Sequence, residues 1–342
     1  MAIDPDYACC TFRGSVLALD TATGEQQWKT YTIEETPAVV RQTSAGTDVI
    51  GPSGATVWNS PSIDAQRQQL YIGTGENMSS PATATSDALF AIDLHTGKVN
   101  WVFQATANDA WNVACDSPTP ANCPEEDGPD FDFGGATLMV RSRQHGDLLI
   151  AGQKSGVVHA VNPDDGSVVW QTRVGRGGIQ GGIHFGMAAA GGRVFVPISD
   201  MADGRTYPNP DRPGMHALDV DSGTILWSTI HEDQCDGRQF CHPGISQVPT
   251  VIGDVVVAGG MDGIARAYAV DSGEILWQLD TTVAFDAVPG KSTRGGSFSG
   301  GAGPVAFNGK LVLSSGYGIY NHMPGNLMLV LAPAKPQRTE HQ

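Results

Sequence analysis

The stretch Leu17-Ala-Leu-Asp-Thr-Ala-Thr-Gly-Glu-Gln-Gln-Trp28 decides the fold, because its pattern returns four more times along the chain. Each copy reads as an alternating strand, a turn of the form Asp/Asn-x-x-x-Gly, and a second short strand that ends on Trp. The Asp or Asn should cap the turn, the glycine should take its positive-φ position, and the tryptophan should act as an apolar plug. The later copies are FAIDLHTGKVNW (90–101), HAVNPDDGSVVW (159–170), HALDVDSGTILW (216–227) and AYAVDSGEILW (267–277), the last with a turn that reads one residue shorter.

The spacing of these copies predicts a repeating array of four-stranded units. Successive closing tryptophans lie 73, 69, 57 and 50 residues apart, which suits four short strands with variable loops. Two more strands precede the later copies, as at 192–197 and 254–258, whereas the first copy lacks them and the strands at 303–315 and 326–331 lack a closing Trp. We therefore expect an all-β fold, a single β-propeller domain over residues 1–342 with about five and a half blades and a truncated N-terminus. A shorter ring that closes on itself is the alternative.

Composition narrows the function classes. The net charge of −16 and the pI near 4.8 argue against nucleic acid, because a phosphate backbone would be repelled. An acidic surface suits docking to a basic partner, although it also suits plain solubility. No apolar stretch approaches the ~20 residues of a membrane span.

The six cysteines bear on the compartment. Cys115 with Cys123 and Cys235 with Cys241 each flank a short polar loop, and Cys9 and Cys10 are adjacent. An even count in local pairs favours disulfides and an oxidising compartment, with six unpaired thiols as the alternative. Neither spacing is that of a zinc site, and Cys241-His242 lacks the upstream cysteine of a haem attachment motif, so we expect no haem in this chain.

The A-x-D-x-x-T-G-x-x-x-W repeat resembles the tryptophan-docking motif of pyrroloquinoline quinone (PQQ) dehydrogenases, and the likeness covers essentially the whole chain. It implies an eight-bladed quinoprotein propeller with the cofactor on its axis. Within that family the chain is most similar to the polyvinyl alcohol dehydrogenase subgroup. The segments that carry this likeness are CCTFRGSVLALDTATG (9–24), GPSGATVWNSPSID (51–64), LYIGTGENMS (70–79), QATANDAWNVACD (104–116), GQKSGVVHAVNP (152–163) and SSGYGIYNHMPGN (314–326).

The resemblance implies two principal cofactor contacts. Trp58, in VWNS, stands where the family's axial Trp lies flat under the quinone, and a planar tricycle needs such an apolar floor. Lys154, in GQKSG, matches a basic residue that would stabilise the reduced quinone. An ordinary core Trp and a solvated surface Lys are the alternative interpretations.

Weaker contacts follow from the same resemblance. Asp200 matches a polar quinone contact but could equally cap a loop, and Arg13 could reach cofactor carboxylates or pair on a blade edge. Cys9-Cys10 resembles a vicinal disulfide that lies against the quinone in many relatives. Its alignment here assigns it to an earlier blade, so these cysteines are possible neighbours only.

Relatives hold Ca²⁺ beside the quinone, and Ca²⁺ prefers several hard oxygens. The GTGEN string places Glu76 and Asn77 at the ligand position, whereas a second Glu ligand would fall upstream of the CCTFRG string, in the part expected to be missing. The family's catalytic base is the Asp after Trp in D-x-W-D. Here that string is Asp109-Ala110-Trp111-Asn112. An amide takes no proton, so Asn112 would only ligate or orient, and Asp109 becomes the predicted base.

The resemblance thus implies a periplasmic PQQ- and Ca²⁺-dependent dehydrogenase that oxidises secondary alcohol groups of polyvinyl alcohol or a similar polyol and passes electrons to a cytochrome c. One alternative is a non-catalytic propeller scaffold of the outer-membrane assembly type, which carries the same Trp repeat without cofactor. Another is a quinoprotein dehydrogenase for small alcohols or sugars.

Overall fold

The computed structural model describes residues 7–288, 290–318 and 320–333, and every regular element among them is a β-strand. The first repeat forms a two-stranded hairpin, β1 with β2, whose strands exchange antiparallel hydrogen bonds. Short strands then pair as β3 with β4 and as β5 with β8, and they lead into the first complete sheet. The bounds are β1 (Ser15–Leu19), β2 (Gln26–Tyr31), β3 (Ala38–Gln42), β4 (Asp48–Gly51), β5 (Ser53–Gly54), β6 (Ser62–Asp64), β7 (Gln69–Gly73) and β8 (Asn77–Ser79).

Four antiparallel sheets of four strands follow one another along the chain, with the orders β6-β7-β9-β10, β11-β12-β13-β14, β15-β16-β17-β18 and β19-β20-β21-β22. A hairpin, β23 with β24, and a three-stranded sheet, β25-β26-β27, complete the described residues. The bounds are β9 (Ala88–Asp93), β10 (Val99–Gln104), β11 (Leu138–Ser142), β12 (Gly146–Gly152), β13 (Val157–Val161), β14 (Val168–Arg173), β15 (Ala188–Ala190), β16 (Arg193–Ile198), β17 (Gly214–Asp219), β18 (Ile225–Ile230), β19 (Thr250–Ile252), β20 (Val255–Gly259), β21 (Ile264–Ala269), β22 (Ile275–Asp280), β23 (Phe285–Ala287), β24 (Lys291–Thr293), β25 (Val305–Phe307), β26 (Lys310–Ser315) and β27 (Leu327–Leu331).

The sheets are arranged as blades around an axis. The first strands of neighbouring sheets contact each other in turn, β6 with β11, β11 with β15 and β15 with β19, so they form the inner ring. The last strands, β10, β14, β18 and β22, lie at the other edge of each sheet and carry the repeat tryptophans. This radial order confirms the predicted β-propeller: the described residues contain four complete blades, a two-stranded first repeat and a three-stranded last sheet.

The apolar core lies between the faces of adjacent blades rather than inside any one sheet. In the cluster between the third and fourth repeats, Leu148, Ile150 and Trp170 of one blade pack against Val194 and Val196 of the next. A single sheet therefore has no core of its own, and each blade depends on its neighbours for burial of its apolar faces.

The repeat tryptophans join successive blades. In the first four copies the indole Nε1 donates to a backbone carbonyl of the next repeat's turn, and the ring lies against that turn's glycine. The pairs are Trp28 with Leu94 O at 2.9 Å, Trp101 with Pro163 O at 3.0 Å, Trp170 with Val220 O at 3.0 Å and Trp227 with Val270 O at 3.0 Å.

The turns have the predicted chemistry, with one correction. Asp20 Oδ1 accepts the N–H groups of Ala22 at 2.9 Å and Thr23 at 2.8 Å, which is the expected cap. The last copy was predicted to have a shorter turn, and this was wrong. Gly273 N–H donates to Ala269 O at 2.9 Å, just as Gly223 N–H donates to Asp219 O at 2.9 Å. The turn keeps its length, and alanine replaces the capping Asp.

All six cysteines are paired, as Cys115–Cys123, Cys235–Cys241 and the adjacent Cys9–Cys10. The two predicted local pairs are therefore confirmed, and each closes a short loop between strands. Within the described residues, no helix long and apolar enough for a bilayer is found.

Candidate functional site

A cavity of about 580 Å³ opens where loops that lead into the inner strands converge. Trp58 precedes β6, Asp130 and Asp132 precede β11, and His184 precedes β15, so successive blades deliver these side chains to one place. Loops that follow the second strands add Glu76 after β7 and Lys154 after β12. The volume lies in the usual range for small-molecule sites, roughly 300–1,000 Å³.

Three carboxyl groups and one ammonium form the polar wall of this cavity. Glu76, Asp130 and Asp132 each place a carboxyl oxygen within 4.8 Å of the other two. Lys154 Nζ lies 2.7 Å from Asp130 Oδ1 and 3.2 Å from Asp132 Oδ2. All four side chains are buried. Such a cluster gathers hard oxygen donors in one place with only one compensating cation among its members.

Burial and mutual repulsion set the ionisation of the cluster. Burial raises the pKa of Glu76 well above its usual range, and the neighbouring Asp132 and Asp130 charges raise it further. Burial also raises the pKa of Asp130, and the Lys154 ammonium offsets this only in part. For Asp132, burial is outweighed by Lys154 and by hydrogen bonds from Glu76, so the pKa of Asp132 is lowered. Asp132 is thus the stable anion of the group.

Trp58 forms a rigid wall with an open side. Its side chain stays 38% exposed although it lines the cavity, so part of the ring is free for contact. The rings of His184 and Phe185 meet it edge-on at 6.0 and 5.7 Å. A Cβ added to Gly134 would come within 2.0 Å of the Trp58 ring, so the glycine is required there.

Asn59 anchors the loop that carries Trp58. Its amide nitrogen donates to the carbonyl oxygens of Gly73 at 2.8 Å and Phe133 at 2.7 Å. The indole therefore has a fixed position relative to the strand before Glu76 and the segment that carries Asp132.

Asp109, the predicted base, lies behind the cavity wall rather than on it. Its Oδ1 accepts the N–H of Asp130 at 3.2 Å and its Oδ2 accepts the N–H of Phe131 at 2.9 Å. Burial raises the pKa of Asp109, while the nearby Asp87 carboxyl and those two backbone groups lower it. The carboxylate thus supports the segment that carries Asp130, and it is not among the cavity-lining residues.

The two asparagines of the predicted metal site are engaged elsewhere. Asn77 donates to Ser53 O at 3.0 Å and accepts the N–H of Thr83 at 2.7 Å. Asn112 donates to Met78 O and Asn122 O, both at 2.8 Å. Both side chains are fully buried and neither lines the cavity. Of the GTGEN pair, only Glu76 reaches it.

Asp200 and Arg13 make structural contacts, a loop cap and contacts within the first repeat, rather than contacts with the cavity. Asp200 caps a loop, since Oδ1 accepts N–H groups from Gly177 and Gly182, both at 3.0 Å. Arg13 Nη1 donates to Ile33 O at 3.1 Å, and the guanidinium lies 3.8 Å from the centre of the Tyr31 ring. Neither side chain is among the residues that line the cavity.

The adjacent cysteines lie beside the β3–β4 hairpin. Cys10 N–H donates to Ile50 O at 3.1 Å and Ile50 N–H donates to Cys9 O at 2.7 Å. Both cysteines are buried, and neither is among the residues that line the cavity.

Known proteins resemble this chain over most of its length. Two family models match successive parts of the chain. Residues 3–129 match the model "Glucose/ethanol/alcohol dehydrogenase, beta-propeller domain", and residues 154–315 match the model "Outer membrane protein assembly factor BamB". The polyvinylalcohol dehydrogenase of a Pseudomonas species is 38% identical over 320 residues, which cover 92% of this chain and 49% of that protein. That of Sphingopyxis sp. (strain 113P3) is 36% identical, with 92% of this chain and 48% of that protein covered.

The chain is similar to PQQ dehydrogenases over most of its length. It spans about half the length of the curated relatives it matches. Among solved structures, the quinohemoprotein alcohol dehydrogenase from Comamonas testosteroni aligns with a TM-score of 0.61 at 17% identity, covering 94% of this chain and 57% of that one. At that identity the alignment supports the propeller fold alone.

Three of the residues that the sequence predicts for the site, Trp58, Lys154 and Glu76, line this cavity. Asp130, Asp132 and His184 line it as well, and the sequence analysis did not name them. Asp130, Asp132 and His184 occupy equivalent places in their blades. Each lies in a loop shortly before the inner strand, as Trp58 does. Alignment of the loops before the inner strands, rather than of the Trp repeats after them, would have indicated these residues.

Proposed function

We propose that this chain carries the cofactor and substrate site of a PQQ- and Ca²⁺-dependent alcohol dehydrogenase that oxidises secondary alcohol groups, with polyvinyl alcohol or a similar polyol as substrate. The observation that carries the proposal is the buried cluster of Glu76, Asp130, Asp132 and Lys154 beside the partly open ring of Trp58. Its similarity to two polyvinylalcohol dehydrogenases supports this activity.

The residues present fit both groups. Glu76, Asp130 and Asp132 offer buried carboxyl oxygens within 4.8 Å of one another, which is the donor chemistry Ca²⁺ prefers. With one Lys154 ammonium for three carboxyls, the pKa values of Glu76 and Asp130 are raised, and a divalent cation would stabilise their ionised forms. Trp58 would provide the apolar surface for a planar quinone, and Lys154 a positive charge near its oxygens.

The protein's own part in the reaction is to bind, orient and accept a proton. When bound, the quinone supplies a two-electron acceptor for the hydride of the carbinol carbon. Asp130 lines the cavity and would take the hydroxyl proton, which leaves the ketone as product. Asp109 would hold Asp130 in place through the backbone N–H of that residue. We therefore assign the base to Asp130 and a supporting role to Asp109.

The rim of the cavity suits a substrate with a hydrocarbon backbone. Met78, Val113 and Ile179 line the same cavity as the carboxyl cluster, so apolar and hydroxyl-bearing parts of one polymer chain would each find a matching surface. The paired cysteines favour an oxidising compartment, and we propose a periplasmic location. The acidic surface suits a basic cytochrome c as electron acceptor.

A scaffold function of the outer-membrane assembly type is the alternative. The matching model covers residues 154–315. Trp58, Glu76, Asp130 and Asp132 lie outside that range, and a scaffold has no evident use for three buried carboxyls around one lysine. Small alcohols or sugars as substrates would share the same cluster and would differ only at the rim.

The test is dye reduction by the purified chain loaded with PQQ and Ca²⁺, with polyvinyl alcohol, a short secondary diol and a primary alcohol compared. We expect the polymer and the diol to be oxidised faster than the primary alcohol. Asp130→Asn should lower kcat by a factor of roughly 10²–10⁴, the usual range for loss of a general base. Asp271→Asn, on the exposed surface, is the control. Equal activity of Asp130→Asn and the control would refute the assignment of the base.

A further inference from the structure

The buried histidines differ in what their two ring nitrogens contact. In His216, Nδ1 lies 2.9 Å from Ser228 Oγ and Nε2 lies 2.9 Å from Arg212 O. In His231, Nδ1 lies 2.7 Å from Pro243 O and Nε2 lies 2.8 Å from the Tyr268 hydroxyl. With both nitrogens satisfied inside the protein, these two residues have structural roles.

His184 uses only one ring nitrogen in this way. Its Nδ1 lies 3.0 Å from Ser246 Oγ. Its Nε2 makes no hydrogen bond with the described residues. This nitrogen is also not among the fully buried polar atoms that lack a partner, so it remains accessible. The ring lines the cavity described above, so Nε2 is the nitrogen left for a molecule bound there.

The imidazole is held rigidly beside the proposed cofactor surface. Its ring packs against Phe185 in a tilted arrangement, with the ring centres 4.2 Å apart and an interplanar angle of 30°, and it meets Trp58 edge-on at 6.0 Å and 79°. Burial, reinforced by the nearby Lys154 ammonium, lowers the pKa of His184 to about 3. The ring is therefore neutral at physiological pH and offers one donor and one acceptor.

The charged groups of the cavity and of the cofactor favour one tautomer of His184. Lys154 is the cation of its wall among the described residues, whereas Glu76, Asp116, Asp130 and Asp132 are acids. PQQ carries three carboxylates and two quinone oxygens, so it needs donors more than acceptors. If the Ser246 hydroxyl donates to Nδ1, the proton of the neutral ring resides on Nε2 and faces the cavity.

We propose that His184, oriented by Ser246, is a binding residue of this cavity and that its Nε2–H donates a hydrogen bond to an oxygen of the quinone cofactor. The inference rests on the proposed function. It assigns a role to a residue pair, His184 and Ser246, that neither the Trp repeat nor the carboxyl cluster accounts for.

The test is a PQQ titration, followed by quinone absorbance in the presence of Ca²⁺, of the wild type and of three variants. His184→Phe keeps an aromatic ring but removes the donor, and it should weaken PQQ binding about tenfold, the value of one hydrogen bond. His184→Gln keeps a donor and should recover most of the affinity. His216→Gln, at a histidine buried to a similar degree with both nitrogens satisfied, should leave PQQ affinity unchanged.

Nitrogen NMR of chains labelled at histidine gives a readout that does not depend on activity or on the folding of variants. In the wild type, the Nε2 resonance of His184 should be that of a protonated nitrogen in a neutral ring, and it should shift when PQQ is added. An Nε2 signal that stays unchanged at saturating PQQ would overturn the inference but leave the proposed function intact. Failure of the wild type to take up PQQ at all would overturn both.

Discussion

Lys154 is the residue on which the cavity wall depends. It lies 2.7 and 3.2 Å from two buried carboxylates. Burial by itself would lower the pKa of Lys154, but the Asp130, Asp132 and Glu76 charges outweigh burial and raise it. The ammonium thus stays charged, and its removal would leave like charges facing each other without compensation.

Lys154→Met should therefore destabilise the metal-free chain by about 3–5 kcal/mol, the usual cost of breaking a buried ion pair from one side. Urea unfolding of the two proteins measures this difference. Lys98→Met, at an exposed lysine, is the matched control and should change stability by less than about 0.5 kcal/mol. A similar small effect in both variants would show that Lys154 is not the counter-charge of the cluster.

The buried neutral histidines predict sensitivity to acid. Burial is the main cause that lowers the pKa of His216 to about 4 and that of His231 to about 3, below the value of about 6.5 in an unfolded chain. Between those values the unfolded state binds more protons than the folded state. Stability is thus complete above pH 6.5 and falls as the pH is lowered through this window.

His231→Gln tests this sign. The variant should lose some stability at pH 7, but its melting temperature should fall less than that of the wild type between pH 7 and pH 4.5. Thermal unfolding at both values of pH, followed by circular dichroism, measures the two differences. Parallel pH dependence in the two proteins would mean that protonation of His231 has no part in acid unfolding.

For single residues, the sequence analysis named side chains that lie in family-like motifs. It did not name side chains that reach the cavity only because the fold brings their loops there. Glu76 reaches the cavity while the adjacent Asn77 turns to Ser53 and Thr83. Nothing in GTGEN distinguishes the two, since strand direction and the partners across the fold decide it. Asp130 and Asp132 lie in an unremarkable acidic loop, and only their convergence with Lys154 gives them a role.

At the scale of the elements, the Trp-to-turn contact is the unit that joins blades. Trp170 donates to Val220 O at 3.0 Å, and its ring lies against Gly223, where φ is +69°. A Cβ at Gly223 would come within 2.5 Å of the ring. The glycine therefore satisfies two demands at once, a left-handed backbone and a close approach.

Gly223→Ala should consequently cost clearly more than Gly192→Ala. Gly192 also has a positive φ, of +76°, but a Cβ there would meet nothing within 4 Å. The control should cost about 1 kcal/mol for the backbone alone, and Gly223→Ala about 2–4 kcal/mol because the Trp170 ring must move as well. Chemical denaturation of both variants measures the difference, and equal costs would contradict the docking account.

The sequence predicted this element scale well, because strands, turns and closing tryptophans are local patterns. Its error lay in the last repeat, where the missing Asp suggested a shorter turn although the backbone of Ala269–Gly273 follows the other copies. A backbone turn that is held by the neighbouring blade does not need its capping side chain. Trp227 supplies that support, since its Nε1 donates to Val270 O at 3.0 Å.

At the scale of the whole molecule, the propeller is what creates a site from distant parts of the chain. Trp58, Asp132 and His184 come from loops of three successive blades, and the inner ring of strands brings them to a single cavity. The Trp repeat alone predicts the ring of blades, but it does not predict which side chains line the cavity. A scaffold with the same blades would lack the reason to bury Glu76, Asp130 and Asp132 together.

The central claim is that this cavity binds PQQ with a divalent cation against Trp58. The most direct measurement is a titration of PQQ into the chain with Ca²⁺ or with a chelator present, followed by quinone absorbance and by quenching of indole fluorescence. The account predicts saturable binding that requires Ca²⁺ and that is lost in Trp58→Ala but retained in Trp277→Ala, a repeat tryptophan away from the cavity. Absence of binding by the folded wild type, or equal binding by both Trp variants, would contradict it.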